Sequence, residues 1–208
     1  MRRISFLAVL LLAGVAAVSA APLCTGVYGT NVLTPGFSCE LGGLTFSNFS
    51  ASQIGLGTDP IIAISAGITG HETGVSGSTV QLYFQTNFNL VLDQFRDISF
   101  AYTVTGGVIG VDGWMGGAGT RSIAETVYSD SGHNNVVGVL NLTGSSPSGE
   151  ALLSGSASEI YIVKDITLGT GATMSEFTQS FETPEPLTFG LIGSGLVLLG
   201  LLRRRTRG

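Results

Sequence analysis

Charged side chains are scarce in this chain. Asp, Glu, Lys and Arg make up 11% of its 208 residues, against roughly 25% in ordinary soluble proteins. That excludes a chain kept disordered by its own charge and a coiled coil built on Glu and Lys. Nine basic residues in all leave no positive field for nucleic acid. Two cysteines cannot build a disulfide-dense scaffold. The two histidines, His71 and His133, lie far apart in polar, glycine-rich segments and do not suggest a zinc centre. No sustained helical stripe runs between residues 21 and 183, which argues against a helix bundle. Glycine, by contrast, is plentiful at 31 residues, about twice the usual ~7%. The formal net charge of −5 averages three segments of different character.

The chain opens Met1-Arg2-Arg3, runs apolar from Ile4 to Val18 and closes that stretch with Ser19-Ala20. A short basic start, an apolar run too brief for a membrane span and small residues at its end predict a secretory signal peptide over residues 1–20. Signal peptidase then cuts between Ala20 and Ala21. Leu23 stands before Cys24, where a lipoprotein signal needs a small residue. The other end reads Thr183-Pro184-Glu185-Pro186, then Leu187 to Leu202 without a charge, then Arg203-Arg204-Arg205-Thr206-Arg207. The uncharged stretch, as a helix, reaches about 24 Å, slightly short of a ~30 Å hydrocarbon core. Snorkelling arginines and local thinning of the bilayer close such a gap. The positive-inside rule keeps the arginines cytoplasmic and puts everything before Pro184 outside the inner membrane. Both ends therefore predict the same topology.

Pro-Glu-Pro, a short glycine-bearing apolar helix and an arginine finish, in that order, resemble the PEP-CTERM sorting signal of Gram-negative bacteria, a tail also known as an ice-binding protein C-terminal domain. The resemblance covers residues 184–207. It implies recognition near Pro184, Glu185 and Pro186 by an exosortase, a membrane-embedded cysteine transpeptidase. That enzyme would detach the tail and pass the body to the cell surface or exopolysaccharide matrix. The prolines fix φ and block helix entry, which keeps the motif extended at the membrane edge. The run Cys39 to Phe49 and the segment Val163-Lys164-Asp165-Ile166-Thr167 also resemble parts of PEP-CTERM bodies, with no activity implied.

Without its ends the chain is acidic. Residues 21–183 hold three basic residues, Arg96, Arg121 and Lys164, against thirteen acidic ones, a net of −10. That argues against nucleic acid and anionic lipid, and is compatible with neutral polysaccharide. Its pattern has period two: Val80, Leu82 and Phe84 alternate with Gln81, Tyr83 and Gln85, and Ile98, Phe100, Tyr102 and Val104 alternate with Ser99, Ala101, Thr103 and Thr105. Similar strands are expected at Leu44–Phe46, Val136–Leu142, Ile160–Leu168 and Phe177–Phe181. Turns are expected at Gly70–Ser78, Gly106-Gly107, Gly113–Gly119, Ser129–Asn135 and Gly144–Gly149. About eight strands at turn spacing predict one all-β domain, an antiparallel β-sandwich of jelly-roll type, over residues 21–183. In an exported protein Cys24 and Cys39 are expected to form a disulfide that pins the first loop.

Catalytic constellations are missing. His71-Glu72 lacks the second histidine of a zincin helix, and Gly144-Ser145-Ser146-Pro147-Ser148 fails as a nucleophile elbow at its last position. Gly116-Gly117-Ala118-Gly119 precedes no long helix and reads as a hairpin loop. Asp93 and Asp97 flank Arg96, which suggests a local ion pair. Asp112, Asp130, Asn134 and Asn135 supply loop oxygens of the kind calcium takes, without an EF-hand pattern. Trp114, the single tryptophan, stands among glycines and is a possible ligand contact: it either stacks on a sugar face or folds over the end of the sandwich. Thr103-Val104-Thr105 is one Thr-x-Thr without the repeats that ice binding needs.

These residues predict an exported, non-enzymatic surface or extracellular-matrix protein, held briefly in the inner membrane by the helix 187–202, with 203–207 cytoplasmic, and processed by an exosortase. The alternatives are a carbohydrate- or exopolysaccharide-binding module and, less favoured, a hydrolase working with loop carboxylates. No metal or other cofactor is expected.

Overall fold

The computed structural model describes residues 21–54, 60–65, 73–76, 78–87 and 95–184, except for the side chain of Ser156. The signal peptide with Ala20, the pair Glu185 and Pro186, the apolar stretch 187–202 and the arginines 203–207 lie outside the described residues, as do His71, Glu72 and Asp93. Among the described residues no helix is long and apolar enough to cross a membrane.

The described residues form ten strands: β1 (Cys39–Leu41), β2 (Leu44–Ile54), β3 (Ile62–Ile64), β4 (Gly74–Ser76), β5 (Thr79–Thr86), β6 (Arg96–Ala118), β7 (Arg121–Tyr128), β8 (Val136–Thr143), β9 (Ser148–Leu168) and β10 (Thr173–Glu182). All strand pairings are antiparallel. Two strands are far longer than the usual 3–10 residues: β6 has 23 residues and β9 has 21. They pair with each other along most of their length, from Arg96↔Leu168 to Trp114↔Ser148, with irregular register around Thr105 to Gly110. Before that irregularity β6 pairs with β2 on its other edge, and after it with β10.

The long pair thus passes through two layers. One layer holds β1, β2, the first half of β6, the second half of β9, β7 and β8. The other holds β3, β4, β5, β10, the second half of β6 and the first half of β9. Gly106-Gly107, expected as a turn, is instead the bend where β6 changes layer. Both glycines have positive φ, 133° and 81°, and a Cβ on Gly106 would stand 2.6 Å from the Gly43 carbonyl oxygen. Only glycine permits that approach. Gly113–Ala118 was likewise expected as a turn and is strand; the reversal comes at Gly119-Thr120, between β6 and β7. Alternation explains this: Val111, Gly113 and Met115 face the core, while Asp112, Trp114 and Gly116 face outward.

The core lies between the layers. Phe46 of one layer packs on Phe181 of the other with ring centroids 5.2 Å apart, and Phe84, Phe100 and Phe177 form a three-ring contact at 4.9 to 5.8 Å. The expected alternations hold, with Val80, Leu82, Phe84, Ile98, Phe100, Tyr102 and Val104 all buried. Tyr83 departs from the pattern. It lies on the outward side of β5 yet is buried, with its hydroxyl donating to Glu176.

One polar group occupies this core. Lys164 of β9 and Glu125 of β7 are register partners and ion-paired, and Lys164 also donates to Gln179, which comes from β10 in the opposite layer. Gln179 Nε2 donates in turn to Glu125 Oε1 at 3.2 Å. Lys164 is 1% exposed, and Glu125 and Gln179 are fully buried. Burial lowers the ammonium's pKa, against the pull of Glu125.

The expected disulfide is present. Cys24, in a 3-10 turn, and Cys39 of β1 are bonded with Cα atoms 4.9 Å apart. The Glu40 amide donates to the Pro22 carbonyl at 2.8 Å, so the start of the domain is held against β1 twice. A loop closed by a bond across 15 positions contributes about 3 kcal/mol on the chain-entropy model. The double variant Cys24→Ala, Cys39→Ala should lose about that much in denaturant titration. An unchanged midpoint would show that the strand contacts alone hold this segment.

Candidate functional site

The outward face of the second layer presents side chains in register across its strands. One row runs Gln81, Ser180, Asp112, Glu150, and the next runs Tyr83, Thr178, Trp114, Ser148. A third pairs Gln85, Glu176 and Gly116. Every second residue of β5, β10, β6 and β9 points this way, and the core on the other side fixes the register. An open depression of about 480 Å³ lies on this face, lined by Gln81, Asp112, Trp114, Glu150, Thr178 and Ser180 together with Ser148 and two glycines.

Trp114 is therefore not the loop residue its glycine neighbours suggested. It is a half-buried strand residue on the wall of the depression. Gly116 makes its position possible: a Cβ there would meet Trp114 Cη2 at 2.8 Å and Glu176 Oε1 at 2.7 Å. The six-membered ring thus lies over bare backbone beside the Glu176 carboxylate, whose other oxygen accepts from Tyr83. Burial and that carboxylate push the Tyr83 hydroxyl well above its ordinary pKa, so it stays a donor. Between Tyr83 and Trp114 stands Thr178. It is 2% exposed, and its Oγ1 is buried without a hydrogen-bond partner. Gln81 Nε2 donates to Ser180 Oγ at 3.2 Å.

The structure separates the other candidates. Asp112 is a strand residue of the depression, remote from the Ser129–Asn135 loop that holds Asp130. There Asp130 braces its own loop, accepting from the amides of Asn134 and Asn135 at 3.1 and 2.7 Å, and these bonds lower its pKa. Asp112 thus does not join Asp130, Asn134 and Asn135, and among the described residues no group of three or more His, Cys, Asp and Glu side chains stands ready for a metal. His133 is exposed and stacks on Tyr128 with centroids 4.8 Å apart. Arg96 and Asp97 begin β6. The Asp165 carboxyl lies close enough to Asp97 for a hydrogen bond between them to raise its pKa. Thr103 is buried and receives a bond from Asn48 Nδ2 at 3.3 Å, so Thr103 and Thr105 do not form a flat exposed pair.

Among the described residues, Asp112 with Glu150 and Asp97 with Asp165 are carboxylates brought side by side on neighbouring strands. Each pair projects from one face of one sheet. Hydrolysis of a glycosidic bond needs carboxyl groups flanking the scissile bond, whereas side chains standing in parallel meet a ligand from the same side. The depression offers a flat ring, carboxylates, an amide and hydroxyls.

No family model matches the chain, and no curated protein is significantly similar to it. Among solved structures it is similar to TmCBM61 in complex with beta-1,4-galactotriose, at 13% identity and a TM-score of 0.38, over 64% of this chain and 88% of that one. It is also similar to the family 11 carbohydrate-binding module of the cellulosomal cellulase Lic26A-Cel5E of Clostridium thermocellum, at 10% identity and a TM-score of 0.34, over 66% and 89%.

Gly116→Ala tests the geometry directly, because Trp114 is the only tryptophan. The added methyl should lift the indole from the strand, shifting its fluorescence to the red and raising its quenching by acrylamide. An unchanged spectrum would show that the ring does not lie over Gly116.

Proposed function

We propose that this protein is a non-catalytic surface or matrix protein whose β-domain holds a neutral, hydroxyl-rich polysaccharide on the Trp114 face. The observation that carries this reading is the single tryptophan, half-buried on the wall of an open depression whose other side chains are carboxylates, hydroxyls and an amide. A pyranose ring presents C–H bonds on its faces and hydroxyls around its rim. The indole suits the faces, and Asp112, Glu150, Gln81, Ser148 and Ser180 suit the rim. The net charge of −10 over residues 21–183 disfavours uronate and sulfate polymers, so the preferred ligand is uncharged. Affinity electrophoresis through gels of neutral hexose polymers should retard the wild type, and Trp114→Ala should weaken binding about tenfold or more. No retardation of the wild type in any neutral polymer would overturn the reading.

The same proposal includes export and sorting through the Pro184-Glu185-Pro186 tail. It rests on the composition of the two ends, and the neighbouring fold supports it. β10 closes at Glu182, Thr183 is tied to the Ser78 carbonyl by both its amide and its hydroxyl at 2.9 Å, and Pro184 is exposed directly afterwards. An exposed Pro184 directly after the last strand suits access by a membrane-embedded transpeptidase. Replacing Pro184, Glu185 and Pro186 with alanine should leave the unprocessed chain in the inner membrane. Unchanged mature mass and location would refute the sorting assignment.

A further inference from the structure

We propose that Lys164 and Gln179 become joined by an intramolecular isopeptide bond, with Glu125 carrying the protons, so that the two layers of the sandwich are covalently linked. This is independent of the polysaccharide reading, since the cluster lies inside the core and the depression on the outer face.

The argument begins with the arrangement of the three groups. Glu125 bridges the other two: its Oε2 accepts from Lys164 Nζ, and its Oε1 accepts from Gln179 Nε2 at 3.2 Å. One carboxylate therefore touches both the nitrogen that would attack and the nitrogen that would leave. Lys164 also donates to Gln179 Oε1, which keeps its nitrogen beside the carboxamide it would attack. Three strands set these positions: Lys164 and Glu125 are direct cross-strand partners on β9 and β7, and Gln179 faces them from β10. Such a fixed encounter replaces the bimolecular step that makes amide exchange slow in solution.

The surroundings favour the neutral forms that the reaction needs. The Tyr102 hydroxyl is buried without a hydrogen-bond partner, and burial first, then the charge of Glu125, raises its pKa. Burial likewise lowers the pKa of Lys164. Passing one proton from Lys164 to Glu125 leaves a free amine and a carboxylic acid, removing two charges from a dry core. The lone pair of Nζ then attacks Cδ of Gln179. A new C–N bond forms, the carbonyl π electrons move to Oε1, and Nζ gives a proton to the Glu125 carboxyl group as that group protonates Nε2. When the carbonyl re-forms, the Cδ–Nε2 bond breaks and ammonia leaves. Glu125 ends in the protonation state in which it began this step. The products are one secondary amide and one ammonia. No oxidant, metal or second substrate takes part. Gln179 is the electrophile because Glu125, held between Nζ and Nε2, is engaged as the proton carrier.

The bond would join β9 to β10, the strand that ends just before Pro184. Force applied through the C-terminal segment would then reach the core through a covalent link instead of hydrogen bonds alone.

Peptide mass analysis of the purified full chain, unfolded and reduced before trypsin, decides the matter. Lys164 is the only lysine, so cleavage there should be lost. The peptide that starts at Ser122 and crosses Lys164 should be lighter by one ammonia, about 17 Da, with fragmentation placing the link between Lys164 and Gln179. Glu125→Gln should restore the full mass and cleavage at Lys164. Wild-type peptides of unmodified mass would overturn the proposal without recourse to any variant. A deficit of one water, about 18 Da, with the link on Glu125 would overturn it too, as would a linked Glu125→Gln protein.

Discussion

Everything in this molecule hangs on the pairing of β6 with β9. Each strand is long enough to serve both layers, and each must bend where it passes between them. A sandwich built this way has a continuous backbone ladder running round its edge, so neither layer can slide over the other without breaking pairs in both. The bend at Gly106-Gly107 is the price of that continuity, and the interlocked Phe46, Phe84, Phe100, Phe177 and Phe181 rings stabilise what the bend permits. The ladder also places both chemical features. Trp114 stands near one end of it, on the outside of one layer. Lys164 stands on the part of β9 that belongs to the other layer, facing in.

The buried Lys164–Glu125–Gln179 group is difficult to explain as a contribution to stability alone. Taking an ammonium and a carboxylate from water costs several kcal/mol per ion, and apolar residues of similar volume often serve a core as well or better. Once present, the group is hard to remove piecemeal, because deleting one member strands a charge. A covalent amide resolves this tension. It consumes the amine, leaves a neutral carboxyl group, and retains a tie between layers that depends on neither ionisation state nor salt.

Much of this was legible in the sequence, and the failures share one cause. Alternation marked the central strands correctly because Val80-Leu82-Phe84 and Ile98-Phe100-Tyr102-Val104 put large apolar groups on every second position. It was hidden in Val111–Ala118, where glycines at 113, 116 and 117 look like punctuation. There Gly113 is a core-facing strand residue and Gly116 a floor for the indole, so the same residue type that signals a turn was serving close approach instead. The phase of Val111, Gly113 and Met115 against Asp112, Trp114 and Gly116 was present all the same. The interior cluster left an equally readable trace: Lys164 sits between Ile162 and Ile166, Glu125 between Ile123 and Val127, and Gln179 between Phe177 and Phe181. Each polar residue occupies the buried phase of an otherwise apolar strand. That the three meet depends on pairing between β7, β9 and β10, which no local pattern reveals.

The low charge noted in the sequence takes on a specific meaning at the Trp114 face. Rows of Gln, Ser, Thr and Gly around one aromatic ring offer hydrogen bonds in many directions and carry little side-chain bulk. The charges that do appear there, Asp112, Glu150 and Glu176, are all negative. Under the proposed polysaccharide reading such carboxylates would accept hydroxyl hydrogens in pairs and repel anionic polymers, so one set of residues would supply both affinity and discrimination. A long Lys or Arg in place of Gly116 or Ser148 would cover the ring and reverse that preference. The glycine-rich, charge-poor composition is therefore what allows a strand face to stay open while its reverse side closes the core.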